Sequence, residues 1–285
     1  GSASSSLAEG TTIMIKKFNI LLVFKEKKKV TPLHEFWFEK FKKGNDVNIF
    51  FINEYANKTN FEIIKKINEI ISNKNVNLVL FEGDHVSIID YDFINKIDQN
   101  VKKGLFLGDN MEWHQVNMIT GSACNFILPE DPISVLKFRE VGYESFFTPV
   151  EGNEEIFKDY NLEKDIDVLF FGRLKADRED YINVLKKNNI NYKFVTPYLD
   201  ESNTMEKLAK LINRSKITVA LTKSQNGKRY FNPLKNFENF FQLKGRVFMT
   251  GLCNSLCVSE FCPSYDLIFP KNLIPIFNNK DEFLK

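Results

Sequence analysis

Short, unbroken apolar runs alternate with helix-patterned stretches along most of this sequence, and a run that is apolar at every position has no side to show to water. Such a run suits a strand covered on both faces, as in a parallel sheet with helices above and below it. Residues 18–24 (FNILLVF) are the first instance. Leu33, Phe36, Trp37 and Phe41 then recur at helical spacing over 33–43, and Gly44 ends that helix. Residues 47–52 read as a strand, 61–71 as a helix and 76–81 as a strand, with connections short enough for crossover units. Beyond Glu82-Gly83-Asp84-His85 the pattern gives a helix at 91–97 and a strand at 104–107. A loop, GDNMEWHQ, follows, then a strand at 125–128, a helix at 133–141 and a strand at 146–150.

The polar, acidic stretch 151–164 interrupts the alternation and reads as a linker. The pattern then restarts: strand 166–171, helix 178–188, strand 192–195, helix 205–214, strand 217–221, a helix or turn at 237–243, a short apolar helix, and strand 256–258. Two α/β halves are expected, 14–150 and 165–285, each a Rossmann-like doubly wound parallel sheet. They would face each other across a cleft lined by the carboxyl ends of the strands. Many enzymes and binding proteins share that arrangement, so fold alone assigns no chemistry.

Bulk properties narrow the field. An apolar content of 43% over 285 residues is ample for packed cores. With 39 basic against 37 acidic residues the net charge is only +2, which gives no field for nucleic acid, so any basic site is local. Cys253, Cys257 and Cys262 follow no common zinc spacing, and with Cys124 they read as reduced structural thiols; no metal is expected. No run reaches the roughly 18 apolar residues of a membrane span, so a cytoplasmic protein with at most peripheral contact at the inner membrane face is expected. Residues 1–13 (GSASSSLAEGTTI) read as an appended remnant ahead of a natural start at Met14.

Three stretches of the second half could meet an anion. Gly172 follows the strand 166–171, and Arg173 and Arg178 flank the start of the next helix; a glycine at such a bend lets amides approach a phosphate, although an ordinary strand-to-helix turn fits the same residues. Residues 222–229 (TKSQNGKR) include Lys223 and Ser224 and read equally as a diphosphate contact or a basic surface loop. Lys244 and Arg246 precede the apolar helix, and Glu260 ends the last strand, where a carboxylate can accept from both ribose hydroxyls or stand in solvent.

These residues carry a resemblance. Asp167-Val168, Phe170, Gly172 and Arg178, then Leu211 with Ser215-Lys216-Ile217, then Lys244-Gly245-Arg246-Val247-Phe248, Cys253 and Glu260 resemble the C-terminal domain of CgeB-like (spore maturation protein) glycosyltransferases of the GT-B group. Pro129-Glu130-Asp131, Phe138-Arg139, Gly142, Phe147 and Pro149 look like that family's last N-terminal unit. The resemblance implies hexosyl transfer from a sugar nucleotide held by the second domain to a glycan, lipid or protein acceptor held by the first. It implies no cofactor and no metal, with a role in cell-surface glycan assembly. The leaving diphosphate would be stabilised by the cations at Lys244 and Arg246.

Two departures stand out: Met249 occupies a place where relatives carry glutamate, and Asn254-Ser255 replaces a glycine-rich turn. The end at Lys285 falls where relatives begin a helical tail. An inverting enzyme needs a base on the acceptor side, for which Asp109 and His114 rank ahead of Asp84 and His85, although each is also an ordinary loop or capping residue. A two-domain protein that binds a nucleotide or other anion without chemistry is the alternative.

Overall fold

A computed structural model describes residues 17–25, 41–83, 88–108, 110–149, 152–172, 174, 176–196, 204–223 and 241–285. Within them two parallel sheets of five strands are formed. The first comprises β1 (Asn19–Phe24), β2 (Asp46–Phe51), β3 (Leu78–Gly83), β4 (Lys102–Leu107) and β5 (Phe126–Pro129), in the order β2-β1-β3-β4-β5. The second comprises β6 (Ile166–Phe171), β7 (Tyr192–Val195), β8 (Ser215–Ala220), β9 (Leu256–Glu260) and β10 (Ile276–Phe277), in the order β10-β9-β8-β6-β7. Counted from its own first strand, each sheet has the same topology, so the repeated sequence pattern is a repeated fold. The strand order reverses between β1 and β3 and again between β6 and β8, and crevices at such reversals are the usual ligand sites of open α/β sheets.

The apolar runs do what their composition requires. In β1, Leu21 and Val23 face one core while Ile20, Leu22 and Phe24 face another on the opposite side of the sheet. In β6, Leu169 and Phe171 enter one core and Val168 and Phe170 the other. Helices cover these faces: α1 (Asn60–Asn73), α2 (Tyr91–Asn95), α3 (Asn110–Gly121) and α4 (Pro132–Glu140) in the first half, and α5 (Ala176–Lys187), α6 (Met205–Asn213), α7 (Arg246–Leu252) and α8 (Lys280–Phe283) in the second. In α1, the side chain of Thr59 accepts from Glu62 N while Glu62 accepts from Thr59 N, and Ile63, Ile64, Ile67 and Ile71 form the buried stripe.

Two stretches differ from the sequence expectation. The GDNMEWHQ loop is largely helix, because α3 begins at Asn110 and continues through a kink at Trp113 (φ −119°, ψ 16°). Its buried positions include Asn117 and Thr120, so no apolar stripe announces it. The expected strand at 146–150 is reduced to a parallel bridge between Ile127 and Ser145, with Phe146 N and Thr148 N donating to Ile127 O and Pro129 O. The described part of the expected linker packs against the second half. Phe157, with Ile156 and Tyr160, packs into the core of the second half, and Asn213 ties it down by accepting from Tyr160 N at 2.7 Å and donating to Lys158 O at 2.9 Å. Gly44 ends its helix at φ +85° as expected, whereas residues 33–40 of that helix and most of 237–243 lie outside the described residues.

The two halves meet near the carboxyl ends of their strands. Asp131, just past β5, accepts from Leu243 N at 2.8 Å and from Ser264 Oγ at 2.9 Å. Phe147 packs against the second-half core that includes Leu243 and Val247.

Candidate functional site

At the reversal point of the second sheet, α7 starts with Arg246, whose side chain lies across the ends of β6 and β8. Its Nε donates to Phe171 O at 2.8 Å and its Nη1 to Leu221 O at 3.3 Å, while the guanidinium stands 5.8 Å from the Phe171 ring centroid. Strand-end carbonyls at a reversal point have no next strand residue to meet, so a forked donor satisfies two of them and fixes a cation there. Gly172 makes room for it. The residue sits at φ +124°, and a Cβ built on it would lie 2.5 Å from Arg246 Nη2.

The adjacent loop is held by Glu260. This carboxylate is buried at the end of β9, and its Oε2 accepts from Thr222 N at 2.9 Å and Lys223 N at 2.7 Å. Thr222 is buried too and donates its hydroxyl to Phe261 O at 2.6 Å. Glu260 therefore shapes the loop that carries Lys223, a function separate from the ribose contact expected of it. Lys244 is half-buried two residues before Arg246, and Arg178 is buried in the first turn of α5. Gly172, Arg178, Lys223, Lys244, Arg246 and Glu260 thus belong to the strand ends, adjoining loops and helix starts of one sheet, whereas Arg173 and Ser224 lie outside the described residues.

On the first half, Asp84, His85 and Asp109 lie outside the described residues. His114 belongs to α3 rather than to a loop. Its ring packs 4.6 Å from the Phe138 ring, and its Nδ1 is 3.3 Å from Asn110 Nδ2, while Asn110 Oδ1 accepts from Asn117 Nδ2 at 2.8 Å. Burial first, then the charge of Lys137, lowers the His114 pKa from its ordinary value. The folded state therefore binds fewer protons here than the unfolded chain. The stability this contributes is present above the unfolded value of about 6.5 and is lost as pH falls through the lowered folded value. His114→Gln is expected to flatten the decline of the urea midpoint between about pH 7 and pH 5; equal slopes for both proteins would remove His114 as the cause.

Two groups have contacts that no motif shows. Glu82, at the end of β3, accepts from Lys25 N at 3.1 Å and so fixes the chain leaving β1 at the first reversal point. Only an acid closing an apolar run signals it in the sequence. Asp131 is the other, and its partners are 112 and 133 residues away. Met249 is buried among Leu169, Phe171, Ala209 and Cys253. In this chain the position faces the core, so the methionine is a packing residue. The four cysteines are free, and burial pushes their thiols up to about 12. Among the described residues no three His, Cys, Asp or Glu side chains gather as a metal site, and no helix is long and apolar enough to cross a membrane.

The fold is that of the GT-B group, two Rossmann-like domains with flanking helices. A glycosyltransferase from Rickettsia africae is similar over 94% of this chain and 86% of its own, with a TM-score of 0.58 and 11% identity. The UDP-GlcNAc 2-epimerase of Methanocaldococcus jannaschii is similar over 93% and 90%, with a TM-score of 0.51 and 11% identity. No family model matches the sequence, and no curated protein matches it.

Proposed function

We propose that this protein is a glycosyltransferase that moves a hexosyl group from a nucleoside diphosphate donor, bound by the second half, to a hydroxyl of a glycan, lipid-linked or protein acceptor at the first. Arg246 carries the reading: a cation pinned by two strand-end carbonyls at a reversal point is fixed positive charge where a leaving diphosphate gains negative charge. Lys244, Lys223, Arg178 and the neighbouring Arg173 and Ser224 would complete the donor contacts, with Gly172 giving backbone access and Glu260 shaping the loop. The bond between the anomeric carbon and the diphosphate oxygen breaks and a bond to the acceptor oxygen forms. In an inverting reaction the acceptor proton passes to a first-half base, with Asp109 and His114 ahead of Asp84 and His85. The charge is offset by side chains, without a resident cofactor or metal. Membership of the CgeB-like family, a cytoplasmic location and work on cell-surface glycans belong to the same proposal.

Calorimetry with a panel of nucleoside diphosphates, with and without Mg²⁺, tests it, and no binding to any of them would sink the reading. Because an epimerase also has this fold, the second assay follows free nucleoside diphosphate and glycosylated product with sugar nucleotides and candidate acceptors. Binding without turnover across acceptors would favour a non-catalytic anion-binding protein.

A further inference from the structure

We infer that Asp131 of the first half is a positioning residue for the donor site of the second, fixing where α7 begins; this rests on reading that site as a diphosphate site. Its carboxylate is 1% exposed at the N-cap of α4. Oδ1 accepts from Ile133 N at 2.9 Å, which is the capping bond, and Oδ2 accepts from Leu243 N at 2.8 Å. The hydroxyl of Ser264, itself fully buried, lies 2.9 Å from each oxygen. Capping a helix needs one acceptor, which serine, threonine or asparagine supplies as well. The second oxygen is what only a carboxylate of this reach provides, and it goes to the residue before Lys244.

That segment depends on outside support. The N-cap of α7 is Gly245, which offers no side-chain cap. Gln242 N donates to Thr222 O at 3.1 Å, so the run into α7 is strung between the Glu260-held loop on one side and Asp131 on the other. The angle at which Arg246 reaches Phe171 O and Leu221 O follows from where that run is held. A group on the acceptor half thereby sets the geometry of the cation on the donor half.

The test compares wild type with Asp131→Ser, which caps α4 but falls short of Leu243. Asp131→Asn is the second variant; it keeps the volume yet offers a single oxygen. Amide exchange is followed by mass spectrometry without ligand, and affinity for nucleoside diphosphates by calorimetry. Faster exchange over 243–249 with α4 unchanged, together with at least about a tenfold rise in Kd, is expected. Unchanged exchange over 243–249 in the folded variants overturns the inference. So does an unchanged Kd despite faster exchange, which would leave Asp131 a purely structural contact. A wild-type protein that binds no nucleoside diphosphate instead overturns the reading of the site, while the exchange comparison still decides whether Asp131 holds α7.

Discussion

Gly172→Ala is expected to destabilise the protein by about 2–4 kcal/mol and to weaken diphosphate binding by at least about tenfold. Two costs add. The φ of +124° lies where a residue with a Cβ is strained, and the new methyl would stand 2.5 Å from Arg246 Nη2 and 3.3 Å from its Nε and Cζ. The guanidinium would have to leave Phe171 O, to which it now donates at 2.8 Å, and with it the position from which it can face an anion. Gly142 is the internal control. It has φ +89° with nothing within 4 Å of a built Cβ, so Gly142→Ala bears the backbone strain alone. Urea denaturation of the two variants separates the contributions, and equal losses at both positions would show that the contact with Arg246 costs nothing.

Arg246→Ala should weaken binding of a nucleoside diphosphate by about 1.5–3 kcal/mol, a tenfold to hundredfold rise in Kd, if charged hydrogen bonds reach the ligand. The same change leaves the carbonyls of Phe171 and Leu221 without the donor they have, for which a further loss of about 1–3 kcal/mol in folding stability is expected. Arg246→Lys divides the two roles. A lysine retains the charge but cannot fork across two carbonyls, so it should recover part of the binding and little of the stability. Wild-type affinity in Arg246→Ala would take the residue out of the site; wild-type affinity in Arg246→Lys would show that charge alone counts.

How much of this was legible in the sequence depends on how local the cause is. The bounds of β6 follow from a run that fills both faces of a sheet, and α1 is signalled by its capping threonine and isoleucine stripe. β10 leaves no signal, because Ile276 and Phe277 are two apolar residues between a proline and asparagines, too short to show a period. The opening of α3 reads as a loop, GDNMEWHQ, because its residues are turn formers and asparagine and threonine stand among the helix's buried positions. In the candidate site, the residue types and their places at strand ends were readable, but their orientation was not. The acceptors of Arg246 are 75 and 25 residues from it, and the amides held by Glu260 are 38 and 37 away. No local pattern encodes such pairings, and the same distance hid the partners of Asp131.

The crossing between the halves carries a mechanical consequence. Thr148 still donates to Pro129 O of the first sheet, while a Cβ on Gly152, at φ +126°, would lie 2.8 Å from Leu252 Cδ1 of the second half, so the backbone changes allegiance within a few residues. Asp131 is a second fixed point. Phe147, packed on the second-half core that includes Leu243 and Val247, is a third. Residues 131, 147 and 152 all bear on the stretch 243–252, so a shift of α7 cannot leave the end of β5 undisturbed.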